Sequence, residues 1–157
     1  MRNVKHPYPI NIDLSRKAVA VVGGGAVATR KIRALLDAAA NVTVISPVLA
    51  PEIDTSQVTW RQKRYETGDI QAMDMIIACT DDAAVNAQIT QDATHFQLVN
   101  NASDKTQSDF FNVAKLEDET LLLTVSTKGK SPATAKRIKQ TLRRWLDDQH
   151  WFKGEDQ

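Results

Sequence analysis

Ala18-Val19-Ala20-Val21-Val22-Gly23-Gly24-Gly25-Ala26-Val27-Ala28 decides the fold. Its first five residues are small or β-branched and all apolar, the pattern of a strand buried on both faces in a parallel sheet. The run ends on three glycines, with Ala28 three positions further on, in the spacing G-x-G-x-x-A. Gly23 permits a tight turn, Gly25 lets backbone approach a pyrophosphate, and Ala28 allows close helix–strand packing. Ala28, Ile32, Leu35, Leu36 and Ala39 then recur at helical spacing, which predicts one buried helix face. A helix opening there turns N–H groups and its positive dipole end toward the glycine bend, a place suited to phosphate. The competing reading is a glycine turn that binds nothing. Strand, bend, helix and second strand in this order favour a dinucleotide site lined by Gly23, Gly24, Gly25, Ala26 and Val27.

The same alternation continues along the chain. Val42–Ile45 is predicted as a strand stopped by Pro47, with further strands over 58–62, 73–79 and 96–99. Asp82 is placed to cap a helix carrying Val85, Ile89 and Ala93. Strands alternating with helices imply the α/β class, here a Rossmann-type doubly wound parallel sheet. At the front, Tyr8–Asp13 reads as a short edge segment, because Pro9 lacks an N–H. Residues 101–109 are polar and loop-like, and 121–126 read as a sixth strand. Lys128-Gly129-Lys130 makes a turn, and Ser131-Pro132 opens a helix with the stripe Ala135, Ile138, Leu142, Trp145 and Leu146. The stretch from His150 reads as a frayed tail.

Composition limits the alternatives. With 157 residues, 42% of them hydrophobic and 25% charged, the chain suits one domain or one domain with an appendage. No apolar run approaches the ~20 residues of a membrane helix, and Met1–Ile10 has no long apolar segment of a signal peptide. A net charge of +1 gives no drive toward nucleic acid. Cys79 is the single cysteine, which excludes an internal disulfide framework and a CxxC metal site. His6, His95 and His150 share no ligand spacing, so no metal site is expected, and Cys79 reads as a small core residue. The cytoplasm is the expected compartment.

Three further places carry candidate chemistry. The residue that grips the cofactor ribose belongs about 20 residues past the glycines. Ser46-Pro47-Val48 stands there, a hydroxyl without a carboxylate or an adjoining arginine, which favours NAD over NADP. Thr80 and Asp81 follow the fourth strand, at the edge where such sheets bind ligands; they read equally as cofactor contacts or as part of a helix cap. From Thr120 to Leu146 there is no acidic residue but there are seven lysines and arginines. Lys128 and Lys130, beside the helix start at Ser131, suit an anionic ligand as well as they suit solvent.

The motif order resembles the precorrin-2 dehydrogenases of sirohaem synthesis. The resemblance rests on Tyr8-Pro-Ile, Val21-Val-Gly-Gly-Gly25-x-Val-Ala28-x-Arg-Lys31, Thr43-Val-x-Ser-Pro47, Ala78-x-Thr-Asp-Asp82-x-x-Val-Asn86 and Ser126-Thr-x-Gly-Lys-Ser-Pro-Ala133. It implies NAD-dependent oxidation of precorrin-2, a polycarboxylate tetrapyrrole, to sirohydrochlorin. It also implies an NAD-binding Rossmann domain over 1–112 and a dimerisation and substrate-binding segment over 113–150, with 151–157 as a tail. Family homodimers interlock through that segment. Lys128, Lys130 and Ser131 then become substrate-binding candidates. The chain is expected to be too short for the helical domain many members add, so a bifunctional dehydrogenase–ferrochelatase is disfavoured and a separate chelatase is the implied partner. One departure bears on catalysis: the family aspartate aligns with Ser103, and Asp104 is the nearest carboxylate. Ser103 and Asp104 are the catalytic candidates. A regulator that binds NAD or tetrapyrrole without turnover is the alternative.

Overall fold

The structure is a computed structural model that describes residues 7–149. His6, His150, the start of the 1–10 stretch and the 151–157 tail lie outside the described residues. The described chain divides into two units, residues 8–110 and residues 111–149 together with Pro7.

The first unit is a five-stranded, all-parallel sheet in the order β3-β2-β1-β4-β5. Its strands are β1 Ala18–Val22, β2 Asn41–Ile45, β3 Thr59–Arg61, β4 Met75–Ala78 and β5 Leu98–Asn101. Side chains alternate across it, so each strand feeds two cores. Val19, Val21, Val42, Val44, Met75, Ile77 and Cys79 face helix α1, Ala26–Asp37. Ala20, Val22, Ile45, Ile76, Ala78 and Val99 face helix α2, Ala83–Asp92. Burying each Val or Ile contributes roughly 1.5–3 kcal/mol, which is why the apolar runs became strands. The strand order reverses between β1 and β4, and the glycine bend leaves β1 at that reversal. Crevices at such switch points are where doubly wound sheets take ligands.

Four local readings are corrected. Residues 8–13 are unpaired and mostly exposed rather than an edge strand. Ala39 is not on the buried stripe: α1 ends at Asp37, Ala39 turns at φ 55°, and Ala40 takes the buried position. The fifth strand starts two residues later than predicted. Phe96 is 83% exposed, and Gln97 is buried because its amide donates to the Ile70 and Met73 carbonyls at 2.6 and 2.7 Å. β5 therefore ends on Asn100 and Asn101, paired beside Ile77 and Ala78.

The second unit holds the fourth correction. The predicted sixth strand is the seventh, β7 Leu122–Val125, and it pairs antiparallel with β6 Ala114–Glu117. β6 buries only Leu116 deeply, so its pattern is too short to announce itself. Asp118 closes the hairpin by accepting from the Thr120 and Leu121 N–H groups at 2.8 and 2.7 Å. Helix α3, Pro132–Asp148, starts as expected: Pro132 occupies the first turn and the Ser131 hydroxyl accepts from the Thr134 N–H at 3.1 Å. Along its stripe Ala135 and Leu146 are buried, whereas Ile138 is 39% and Trp145 47% exposed.

Candidate active site

The three glycines of the bend have different reasons to be glycine. Gly23 sits at φ +124°, and a Cβ there would lie 2.5 Å from the Cys79 carbonyl oxygen. A Cβ on Gly24 would lie 2.1 Å from the Val48 oxygen. Both are demanded by the packing of the bend against the ends of β4 and β2. Gly25 has ordinary φ and ψ, and a Cβ there would meet nothing within 4 Å. The fold does not require this glycine, and the space beside it is open.

That space lies against the N-terminus of α1. Asp82 caps α2 by accepting from the Ala84 and Val85 N–H groups, and Ser131 caps α3. None of the three helices has an acidic residue in its first turn, and α1 alone among them has no side-chain cap. Its first N–H groups and dipole end are left for an anion. Gly25, Ala26 and Val27 are exposed there. The residues present fit a dinucleotide pyrophosphate.

Ser46, Pro47 and Val48 follow β2 beside the bend. The Ser46 hydroxyl donates to the Val48 carbonyl at 2.7 Å, and the Ser46 carbonyl accepts from the Trp60 indole at 2.9 Å. Ser46 is buried, while Pro47 and Val48 are exposed. Arg61 and Lys63, the cations nearest in sequence to the end of β3, lie 3.6 and 3.2 Å from Asp69.

On the other side of the switch point, a polar network joins the ends of β4 and β5. Asn86, fully buried on α2, accepts from the Thr80 N–H at 2.9 Å and the Thr80 hydroxyl at 2.8 Å. Its NH2 donates to the Thr80 carbonyl at 3.1 Å and to the Ser103 hydroxyl at 3.2 Å. Ser103 in turn donates its hydroxyl to Asn101 Oδ1 at 2.7 Å. The backbone N–H groups of Ser103 and Asp104 converge on the same oxygen. Thr80 and Ser103 are thus brought together through one amide, with Asp81 exposed beside them.

The Asp104 carboxylate accepts from the Thr106 N–H at 2.8 Å and hydroxyl at 2.7 Å. These bonds hold its pKa below the usual carboxylate value. It stays ionised, with some of its basicity spent on a local turn.

On the α1 face, Lys31 donates to Asn100 Oδ1 at 3.1 Å, and the Asn100 amide donates to the Phe110 carbonyl at 2.9 Å. Burial lowers the Lys31 pKa and pushes the Cys79 thiol up to about 11, the latter partly offset by the Lys31 charge. A thiol so disfavoured as thiolate is a core group rather than a nucleophile. Lys31, Asn86, Asn100 and Asn101 were absent from the sequence-derived site. Their signal was polarity out of place: an amide beside Val85 on a helix face, and two amides ending an apolar strand.

Lys128, Lys130 and Ser131 lie in the second unit. Lys128 and Gly129 both have positive φ, at 54° and 73°, and the Lys128 N–H donates to the Ser126 hydroxyl. Among the described residues no three His, Cys, Asp or Glu side chains gather as a metal site, and no helix is long and apolar enough to cross a membrane.

A family model described as putative NAD(P)-binding matches residues 10–114. The precorrin-2 dehydrogenase of Bacillus subtilis is 33% identical over 143 residues, covering 88% of each chain. That of Priestia megaterium is 34% identical over 147 residues, covering 91% of this chain and 73% of its own. The chain belongs to the precorrin-2 dehydrogenase family. The solved structure of SirC, a precorrin-2 dehydrogenase, superposes with a TM-score of 0.79 at 34% identity, over 88% of this chain and 70% of that one. The siroheme synthase of Photobacterium profundum is 39% identical over 85% of this chain, which spans 30% of that longer protein. The Rossmann-type fold and the cofactor class expected from the glycine bend are those of the family.

Proposed function

We propose that this protein oxidises precorrin-2 to sirohydrochlorin, transferring a hydride to NAD+ and releasing a proton. The observation that carries the reading is the open side of Gly25 against the uncapped start of α1, at the switch point of a sheet built like that of SirC. Bound NAD+ would supply the hydride acceptor; the chain supplies binding, orientation and charge.

In this reading Gly23, Gly24, Gly25, Ala26 and Val27 carry the pyrophosphate. Ser46, Pro47 and Val48 flank the adenosine ribose. The ion pairing of Arg61 and Lys63 with Asp69 leaves no strong claim on a 2′-phosphate, in keeping with NAD rather than NADP. Thr80 and Asp81 face the nicotinamide half. Ser103 and Asp104 lie where the reacting carbon loses its proton, with the ionised Asp104 as acceptor. Lys128, Lys130 and the helix start at Ser131 bind substrate carboxylates. Val113, Leu122, Ile138 and Trp145 expose apolar surface in the second unit, which supports a homodimer. The cytoplasm is the proposed compartment, with iron insertion left to a separate chelatase.

Mixing the purified protein with NAD+ and precorrin-2 should produce NADH absorbance and sirohydrochlorin in equal amounts. A folded protein that binds NAD+ without turnover rejects the dehydrogenase reading. Ser103 at the family aspartate position favours one second reading, a binding protein that has lost catalysis. A large gain in turnover in Ser103→Asp supports that reading.

A further inference from the structure

The hydrogen bonds around Asn86 fix which way its amide points and, through it, what Ser103 offers a ligand. The Thr80 N–H is an obligatory donor and the Thr80 carbonyl an obligatory acceptor, so Asn86 must turn Oδ1 to the first and Nδ2 to the second. Nδ2 then donates to the Ser103 hydroxyl, leaving that hydroxyl to donate onward. Its proton goes to Asn101 Oδ1, whose own orientation is set by the backbone N–H groups of Ser103 and Asp104. Both directions of the chain are decided by backbone atoms. Ser103 is exposed, and its one proton is committed inward. What the hydroxyl has left to offer is an oxygen lone pair.

We propose that Asn86 is a positioning residue that makes Ser103 a hydrogen-bond acceptor for an N–H group of a ligand at the carboxyl edge of the sheet. The inference rests on the dinucleotide site proposed above. Two ligand groups share this chemistry: the carboxamide of a nicotinamide coenzyme and the pyrrolic N–H of a tetrapyrrole. A hydroxyl held this way gives orientation without basicity, which separates the binding role of position 103 from proton acceptance at Asp104.

The test is a double-mutant cycle of Ser103→Ala and Asn86→Asp. Asn86→Asp retains the acceptor for the Thr80 N–H and loses both donations. Ser103→Ala lies on an exposed loop, and it keeps the test open even where Asn86→Asp lowers the melting temperature. Calorimetry reads the Kd for NAD+, and steady-state kinetics read KM for precorrin-2. Each single variant should raise one of these by up to about tenfold, the worth of one hydrogen bond, and the double variant should be no worse than the worse single. A change in Kd assigns the carboxamide; a change in KM at constant Kd assigns the pyrrolic N–H. Unchanged Kd and KM in Ser103→Ala, or losses that multiply in the double variant, overturn the inference. A wild-type protein inert toward precorrin-2 rejects the dehydrogenase reading alone, because calorimetry with NAD+ and with precorrin-2 then replaces the kinetic comparison, and Ser103→Ala unchanged in both Kd values overturns this inference.

Discussion

Gly23 and Gly25 sit two residues apart and answer to different demands. Gly23 combines a positive φ with a 2.5 Å approach to the Cys79 carbonyl, so Gly23→Ala should cost about 2–4 kcal/mol in urea unfolding. Gly25→Asp should act in the opposite sense. The backbone there is extended and open, and a carboxylate at a helix start stabilises by about 0.3–1 kcal/mol. The same charge would repel a pyrophosphate, so calorimetry should show NAD+ binding lost while the melting temperature holds or rises. Cys79 gives a pH dependence. Its thiol ordinarily titrates at 9.0 and is pushed to about 11 in the fold, so between these values the unfolded chain loses a proton that the folded chain retains. Stability falls as pH rises through that window, by at most about 2–3 kcal/mol. The lowered Lys31 pKa works with the opposite sign. Cys79→Ala should flatten the alkaline decline in urea titrations at about pH 8–11, measured against wild type.

Helix starts differ in how their first N–H groups are met. Asp82 and Ser131 each accept from the N–H groups of their own first turns. Asp82→Ala and Ser131→Ala should each cost about 1 kcal/mol, measured by chemical denaturation. α1 forgoes such a cap at the end where the cofactor is proposed to bind. Strand ends show a similar division. β1 and β4 are apolar to the last residue, while β5 finishes on two buried amides that face opposite sides of the sheet. Asn100 takes the Lys31 ammonium on one side, and Asn101 gathers Ser103 and Asp104 on the other. Apolar runs were legible as strands because burial rewards them residue by residue. The apolar pattern puts β5 two residues early because its last two residues are polar and held by hydrogen bonds, Asn100 by Lys31 far along the chain and Asn101 by Ser103 and Asp104 close by. It misses β6 because one buried Leu116 makes no pattern.

Across the whole molecule, the half-exposed stripe of α3 bears on assembly. If copies of the chain associate through it, Ile138→Glu places a charge in that contact and should shift the mass in light scattering from two chains to one, with the helix content unchanged. An unchanged mass would reject the dimer or its location. The amino-acid sequence determined the α/β class, the glycine bend and the helix caps, because each is set by neighbours within a few residues. It also carried the family resemblance, in blocks spread from Tyr8 to Ala133. The tertiary structure decided which glycines the fold needs and which one it leaves open. It also decided that Asp104 is tied into a turn, and that Asn86 governs Ser103 from 17 residues away. The Asp104 turn is local, made with Thr106 two residues on. The glycines and Asn86, however, depend on backbone atoms at the ends of β2, β4 and β5 meeting at one edge, and no local pattern of residues encodes a direction across that gap.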